Sequence, residues 1–219
     1  MKLKKKNIII SICLIMLSVI YTILVKYVDV APIGPKASSV GFSTLNKFVF
    51  NFLGRSNIWY NITEVLGMIS ILIALFYALI GLYKLIKNKS ILKIDKEIII
   101  LGIFYFVVLL VYLFFEKVII NYRPVLVKGV LEASYPSSHT MLSICICLSA
   151  IIINNKLYKS MRISKIINTL SIIIMITTTV GRLLSGMHWV SDILGGIIIS
   201  ICLSYIFKTV IYSLNEEES

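Results

Sequence analysis

Long apolar runs without a charged residue alternate along the chain with short segments that hold most of the charges. Crossing a bilayer core takes about 20 residues of helix, and six of these runs reach or approach that length. The runs span residues 7–25, 65–83, 98–115, 140–155, 166–181 and 193–207. The pattern therefore predicts an all-α integral membrane protein, a six-transmembrane helix bundle in which residues 1–219 form one membrane-embedded domain.

The last three runs are short, and each reaches membrane length only when polar residues at one end are included. Charged or ionisable groups at the edge of a span are costly and usually serve a function. The polar residues at these edges are Ser137, Ser138, His139, Arg182, His188 and Asp192. They are the first candidates for a functional site.

Lysines and arginines fall unevenly between the runs, and this bias predicts the orientation of the chain. They are concentrated in residues 2–6, 84–96 and 156–165, which the positive-inside rule assigns to the cytoplasm. Both termini are then cytoplasmic, and segments 116–139 and 182–192 meet on the extracytoplasmic side. The first run is too long for a signal peptide and lacks a small-residue cleavage site, so we interpret it as a retained span.

The composition agrees with a protein of the cell membrane. Hydrophobic residues make up 58% of the chain and charged residues 15%, which excludes disorder and an ordinary soluble domain. The net charge of +12 would suggest nucleic acid in a soluble protein. Here most of the excess lies between apolar runs, so the anionic inner face of the bilayer is the expected partner and nucleic acid is not.

The first outer segment, residues 29–61, is long and contains one further predicted helix. Residues 43–53 have the pattern of a short amphipathic helix with four apolar side chains on one stripe. Such a helix either lies at the membrane interface beside the site or packs onto the bundle. The stripe consists of Leu45, Phe48, Val49 and Phe52.

Both histidines of the chain lie at predicted outer ends of spans, beside groups that bind phosphate. Pro136 is a favoured first residue of a helix, and the N–H groups of Ser137, Ser138 and His139 that follow it have no helical acceptor. Together with the helix dipole and two hydroxyls, they form an anion site. An ordinary serine cap of the helix would give the same pattern.

The second histidine, His188, is followed four residues later by Asp192, a spacing that places both on one face of a helix. A carboxylate that accepts a hydrogen bond from one ring nitrogen leaves the other free as a nucleophile. Arg123 and Arg182 carry planar charges suited to bidentate phosphate binding. The alternative is that these residues serve only as partners and anchors at the membrane interface.

Three blocks of sequence together resemble a known signature. They are Lys-x5-Arg-Pro at 117–124, Pro-Ser-Ser-His at 136–139 and Arg-x5-His-x3-Asp at 182–192. In this order they are similar to the signature of the type-2 phosphatidic acid phosphatase family. This family comprises the membrane lipid phosphatases of the acid phosphatase and vanadium haloperoxidase superfamily, and its arrangement of six spans is similar too. The motif core here covers residues 116–192.

The resemblance implies hydrolysis of a phosphate monoester or diphosphate without a metal or another cofactor. His188 would attack phosphorus and form a phosphohistidine, and Asp192 would orient it. His139 would protonate the leaving oxygen and then activate water. The phosphate oxygens would be bound by Arg123, Arg182, Ser137, Ser138 and Lys117.

The first block departs from the family pattern. The family has six residues between the lysine and the arginine, whereas this chain has five, so that Glu116 stands at the lysine position and Lys117 follows it. On an ideal helix this offset turns Lys117 by roughly 120° from the face of Arg123. Lys117 then reaches the site only if the helix loosens before Asn121. In the other blocks, Ser138 replaces a glycine and Gly181 a serine.

The sequence thus predicts an integral-membrane lipid phosphatase whose site faces outward. The candidate substrates are undecaprenyl diphosphate, phosphatidylglycerol phosphate and phosphatidate. An outward site in a small, Ile- and Lys-rich chain of bacterial type favours recycling of undecaprenyl diphosphate. The alternatives are a phosphotransferase that uses the same histidine, and a non-catalytic membrane protein that binds phospholipids.

Overall fold

The computed structural model describes residues 5–157 and 162–214, and these residues are helical apart from turns and connecting segments. The predicted cytoplasmic lysines Lys2, Lys4 and Lys159 lie outside the described residues. The helices are α1 (Lys5–Tyr27), α2 (Ser43–Leu53), α3 (Asn57–Asn88), α4 (Lys96–Lys117), α5 (Ser138–Leu157), α6 (Arg162–Leu184) and α7 (Val190–Ser213). Within the described residues, six helices are long and apolar enough to cross a membrane, which confirms the predicted bundle.

Helix α5 lies at the centre of the bundle and packs against α3, α6 and α7, while α1 packs against the outer side of α7. Large apolar side chains along α1, α3, α4 and α6 are exposed, as expected for surfaces in contact with lipid. The buried core includes Tyr77, Phe104, Met141 and Phe207. This packing makes α5 and α7 the most enclosed helices, and both begin at the predicted site.

Helix α2 has the predicted bounds and packs onto the bundle through its polar face. The fully buried Asn46 amide donates to the carbonyl of Gly41 at 2.7 Å and to Ser191 Oγ at 2.8 Å. Its oxygen accepts from the backbone N–H of Ser191 at 3.1 Å. The apolar side chains Leu45, Phe48 and Phe52 are exposed. The helix therefore fixes the start of α7 and directs its apolar stripe outward.

The up-and-down order of the spans brings four helix ends together. Helices α4 and α6 end, and α5 and α7 begin, at the same end of the bundle, so segments 116–139 and 182–192 meet there, as predicted. A tight turn joins α6 to α7 and contains Gly186 with φ of 66°. A Cβ at this position would lie 2.9 Å from the carbonyl oxygen of Gly54, so both the conformation and the close approach favour glycine.

Candidate active site

His188 lies in the turn between α6 and α7 and is only 2% exposed. Its Nδ1 is 3.0 Å from the carbonyl oxygen of Ser134, and its Nε2 is 3.4 Å from an Arg123 terminal nitrogen. A carbonyl oxygen only accepts hydrogen bonds, so the ring hydrogen is on Nδ1. The lone pair of Nε2 therefore faces Arg123, which is the orientation that a histidine nucleophile requires.

Asp192 is completely buried, but its contacts differ from the predicted ones. Its Oδ2 accepts from the backbone N–H of Trp189 at 3.0 Å, and its Oδ1 accepts from the Asn121 amide at 3.1 Å. The distance from Oδ2 to His188 Nδ1 is 3.9 Å, too long for a hydrogen bond. The reason is that α7 begins only at Val190. His188 and Asp192 therefore do not share a helical face, and Asp192 caps the start of α7.

Arg182 and His139 meet on the other side of the site. Arg182 lies in the last turn of α6 with 1% of its surface exposed, and its guanidinium donates to Nδ1 of His139. The same terminal nitrogen is 2.7 Å from Glu64 Oε1 on α3. The ring of Tyr60 lies 5.6 Å from the guanidinium carbon, close enough for a cation–π contact. Arg182 thus connects α3, α5 and α6 at this end of the bundle.

Arg123 is held by a small hairpin that spans residues 122–133. Its backbone N–H donates to the carbonyl of Glu132 at 3.0 Å, and its Nε is 3.2 Å from Glu132 Oε2. Val127 and Val130 exchange two backbone hydrogen bonds around Lys128 and Gly129, both of which have positive φ. This is the conformation of a tight two-residue hairpin turn. The hairpin fixes the Arg123 side chain towards His188.

The two serines of the Pro-Ser-Ser-His block, Ser137 and Ser138, do not form the predicted anion site side by side. The N–H of Ser137 donates a hydrogen bond to the backbone oxygen of Asp192 at 3.0 Å. The prediction that this N–H is free to bind phosphate is therefore wrong. The Ser137 hydroxyl is buried and has no partner among the described residues. Ser138 begins α5 and lines a small pocket together with Arg123 and His188.

The structure does not place Lys117 with the other predicted residues. Lys117 is the exposed final residue of α4 and does not line the pocket, whereas Tyr112 and Glu116 do. Helix α4 ends at Lys117, so the helix does loosen before Asn121, and the offset calculated for an ideal helix does not extend to Arg123. Positions 112 and 116 share a face at the four-residue spacing, and position 117 is turned about 100° away. The phosphate contact of Lys117 stays a prediction, and the lining of the pocket gives it no support.

Comparison with known proteins identifies the family. A family model described as the PAP2 superfamily matches residues 101–216. The chain belongs to the PAP2 superfamily. The family resemblance predicted from the three blocks is therefore confirmed. No curated protein sequence matches the chain significantly.

A solved structure shares the fold of this PAP2 protein. It is the crystal structure of the first transmembrane PAP2 type phosphatidylglycerolphosphate phosphatase from Bacillus subtilis. The superposition has a TM-score of 0.64 and covers 95% of this chain and 97% of that chain, at 16% sequence identity. The two proteins therefore have the same transmembrane architecture despite widely diverged sequences.

Several residues of the site were not identified from the sequence. Asn121 is fully buried and links the outer segment to the site, since its Oδ1 accepts from the N–H of Gly41 at 2.9 Å. Ser134 contributes a backbone carbonyl, which no pattern of side chains can reveal. Glu64 is an acidic residue near the outer end of a predicted span, a signal that would have identified it.

The electrostatic environment keeps the His188 ring neutral. Burial lowers the pKa of His188 well below its usual range, and the positive charges of Arg123 and Arg182 lower it further. A neutral imidazole is the nucleophilic form. The described residues contain no group of three or more His, Cys, Asp or Glu side chains placed to hold a metal ion.

An apolar groove of about 380 Å³ lies between α1, α4 and α7, next to the polar pocket. Its walls include Val19 and Thr22 of α1, Phe114 of α4 and Cys202 of α7. Phe115 lines both the groove and the pocket that contains Arg123 and His188. One aromatic side chain thus separates a site suited to phosphate from a surface suited to hydrocarbon.

Proposed function

We propose that this PAP2 protein hydrolyses a lipid phosphate or diphosphate through a phosphohistidine formed on His188. The main support comes from the two contacts of the His188 ring, one at each nitrogen. Ser134 fixes the hydrogen on Nδ1, and Nε2 faces Arg123 inside the pocket. A nucleophile oriented beside a phosphate-binding cation is the arrangement that phosphoryl transfer requires, because positioning and electrostatics do most of the catalytic work.

In the proposed reaction, Nε2 of His188 attacks phosphorus and the bond from phosphorus to the leaving oxygen breaks. His139 donates a proton to that oxygen. A water molecule then attacks the phosphohistidine and transfers a proton to His139, which releases phosphate and restores both rings. Arg123, Arg182 and Ser138 bind the phosphate oxygens. Asp192 stabilises the positive His188 ring from 3.9 Å.

The substrate is proposed to be a lipid because the polar pocket adjoins the apolar groove at Phe115. The hydrocarbon chain would lie between α1 and α4, with its phosphate end at His188. The predicted orientation places this end of the bundle outside the cell. Among lipids available there, undecaprenyl diphosphate is the first candidate, followed by phosphatidylglycerol phosphate and phosphatidate. The solved relative's activity on phosphatidylglycerol phosphate keeps that lipid in the comparison.

The test uses the purified protein in detergent, offered each of the three lipids while phosphate release is measured. We expect release from at least one lipid in the presence of EDTA, together with an acid-labile phosphoenzyme after rapid quenching. Transfer of phosphate to an added alcohol instead of water would indicate the phosphotransferase. Lipid binding without phosphate release, unchanged in His188→Ala, would overturn the enzymatic function.

A further inference from the structure

Glu64 joins the two groups that the proposed function assigns to phosphate binding and proton transfer. Its Oε1 lies 2.7 Å from the Arg182 guanidinium and 3.3 Å from Nε2 of His139. The side chain of Glu64 is 41% exposed, whereas that of Arg182 is 1% exposed. A single carboxylate oxygen at the outer end of α3 thus contacts both α5 and α6.

The contacts of the His139 ring define its protonation in the absence of substrate. A guanidinium can only donate hydrogen bonds, so Nδ1, which faces Arg182, must accept. The ring hydrogen is then on Nε2, the nitrogen beside Glu64. Both ring nitrogens are therefore occupied by protein groups, and neither is available to a leaving oxygen.

The packing of α3 also fits this placement of the ring. A Cβ at Gly67 would lie 2.7 Å from Cδ2 of His139, so the ring rests directly on the backbone of α3. Gly67 and Glu64 are three residues apart on the helix and share a face. The same face of α3 therefore provides the carboxylate and the space beside it.

Phosphate would change the contact between Arg182 and His139. Nε and one terminal nitrogen of Arg182 are buried without a partner among the described residues, so the guanidinium has donors for further acceptors. An anionic phosphate oxygen is a stronger acceptor for a guanidinium than a neutral ring nitrogen. A phosphate oxygen that took over the terminal nitrogen now on His139 would free Nδ1.

We propose that Glu64 is a positioning residue that converts His139 into a general acid when phosphate engages Arg182. This inference rests on the proposed phosphatase function. Nδ1 takes up a proton from solvent, and Glu64 stabilises the resulting imidazolium through Nε2–H. The Nδ1–H bond then breaks as the leaving oxygen gains the proton. The ring returns to its neutral form, ready to accept a proton from the attacking water.

The test compares Glu64→Gln with Glu132→Gln, a matched variant of the carboxylate that pairs with the other phosphate-binding arginine, Arg123. Glutamine keeps an acceptor for Arg182 but removes the charge. Each variant is assayed with a lipid phosphate, whose leaving group needs a proton, and with p-nitrophenyl phosphate, whose leaving group does not. The ratio of the two rates is internal to each preparation and does not depend on the folded fraction.

General acid catalysis is worth about 100- to 10,000-fold, so Glu64→Gln should lower kcat for the lipid phosphate at least about tenfold. Its rate of phosphoenzyme formation from p-nitrophenyl phosphate should change less than about threefold, because that step bypasses the acid. Glu132→Gln should affect both substrates alike, mainly through KM. Gly67→Ala, which displaces the His139 ring without changing a charge, should resemble Glu64→Gln.

The pH profile provides a second readout. The charged or titratable groups around His139 are Glu64 on α3, Arg182 on α6, Arg123 in the hairpin and His188 in the α6–α7 turn. A general acid must be protonated in the enzyme–substrate complex, so kcat falls as pH rises through the pKa of His139 in that complex. Loss of the carboxylate disfavours the imidazolium, so the alkaline limb should move to lower pH in Glu64→Gln and stay in place in Glu132→Gln.

Equal losses on both substrates in Glu64→Gln, with an unmoved alkaline limb, would show that Glu64 merely supports Arg182, and would overturn the inference. That outcome leaves the proposed function intact as long as the unsubstituted protein releases phosphate and forms a phosphoenzyme. Failure to form a phosphoenzyme in the unsubstituted protein would instead contradict the proposed function itself.

Discussion

At His188, a backbone oxygen rather than a side-chain carboxylate fixes the ring. The carbonyl of Ser134 lies 3.0 Å from Nδ1, while Asp192 lies 3.9 Å away and caps α7. The two histidines of the site are therefore distinguished by their partners. Nε2 of His188 lies 3.4 Å from the Arg123 guanidinium, whereas the two ring nitrogens of His139 contact Glu64 and Arg182.

This difference predicts distinct defects for the two histidines. His188→Ala should form no phosphoenzyme with any substrate. His139→Ala should fail on lipid phosphates but still be phosphorylated by p-nitrophenyl phosphate, because a weakly basic leaving group needs little help from an acid. Rapid quenching followed by detection of acid-labile phosphate distinguishes the variants. The reverse pattern would exchange the two roles.

The exposed position of Lys117 predicts a small effect of its removal. Lys117→Ala should change kcat/KM by less than about threefold, whereas Arg123→Ala should lower it by at least about 100-fold, since a preorganised donor at the reacting group is worth that much. Steady-state assays of both variants on one lipid phosphate make the comparison. A loss in Lys117→Ala as large as that in Arg123→Ala would show that the end of α4 unwinds when substrate binds.

The sequence predicted which side chains come together at the site better than it predicted the groups that those side chains contact. His188, His139, Arg123 and Arg182 come together as expected, since helix ends at one side of a bundle must meet. The partner of His188 was not predictable because the periodicity argument assumed that α7 includes it. A shift of the helix start by two residues changes which groups share a face.

At the level of elements, the hydrophobic pattern predicted the six spans and the bounds of α2 because a bilayer imposes length and polarity directly. The outward direction of the α2 stripe required the structure. Polar Asn46 forms the hydrogen bonds between α2 and Ser191 of α7. The groove beside α1 was also unpredictable, since it depends on how three helices diverge.

The groove predicts a substitution that separates lipid from soluble substrates. Val19→Trp should fill part of the space between α1 and α4 and raise KM for a lipid phosphate several-fold, with little effect on p-nitrophenyl phosphate. Leu17→Trp provides the matched control, because Leu17 is an exposed residue of the same helix that does not line the groove. Equal KM values for the lipid in both variants would contradict the proposed position of the hydrocarbon chain.

For the whole molecule, the charge bias remains the basis for the orientation in the membrane. All four helix ends at the site lie on one side, so one measurement assigns the entire site to a side. The hairpin tip at Lys128 is exposed and suits such a measurement. The paired arms of the hairpin separate Lys128 from the helices of the bundle.

Labelling of Lys128→Cys should therefore report the orientation. In a background with the native cysteines replaced by alanine, a membrane-impermeant maleimide should label intact cells, because the predicted extracytoplasmic side includes this loop. A Lys89→Cys variant, at the opposite end of the bundle, should be labelled only after permeabilisation. The opposite result would invert the topology and exclude recycling of a carrier lipid at the outer surface.

The turn between α6 and α7 has a consequence for how the chain can vary in length. It links Arg182 to His188 through Gly186, whose positive φ and closeness to Gly54 leave no space for a side chain. Insertions there would separate the phosphate-binding arginine from the nucleophile. The exposed tip of the hairpin at Lys128 has no such close contact, since a Cβ at Gly129 would meet no atom within 4 Å. A fluorescent reporter or an affinity tag inserted after Lys128 should therefore leave the catalytic geometry undisturbed.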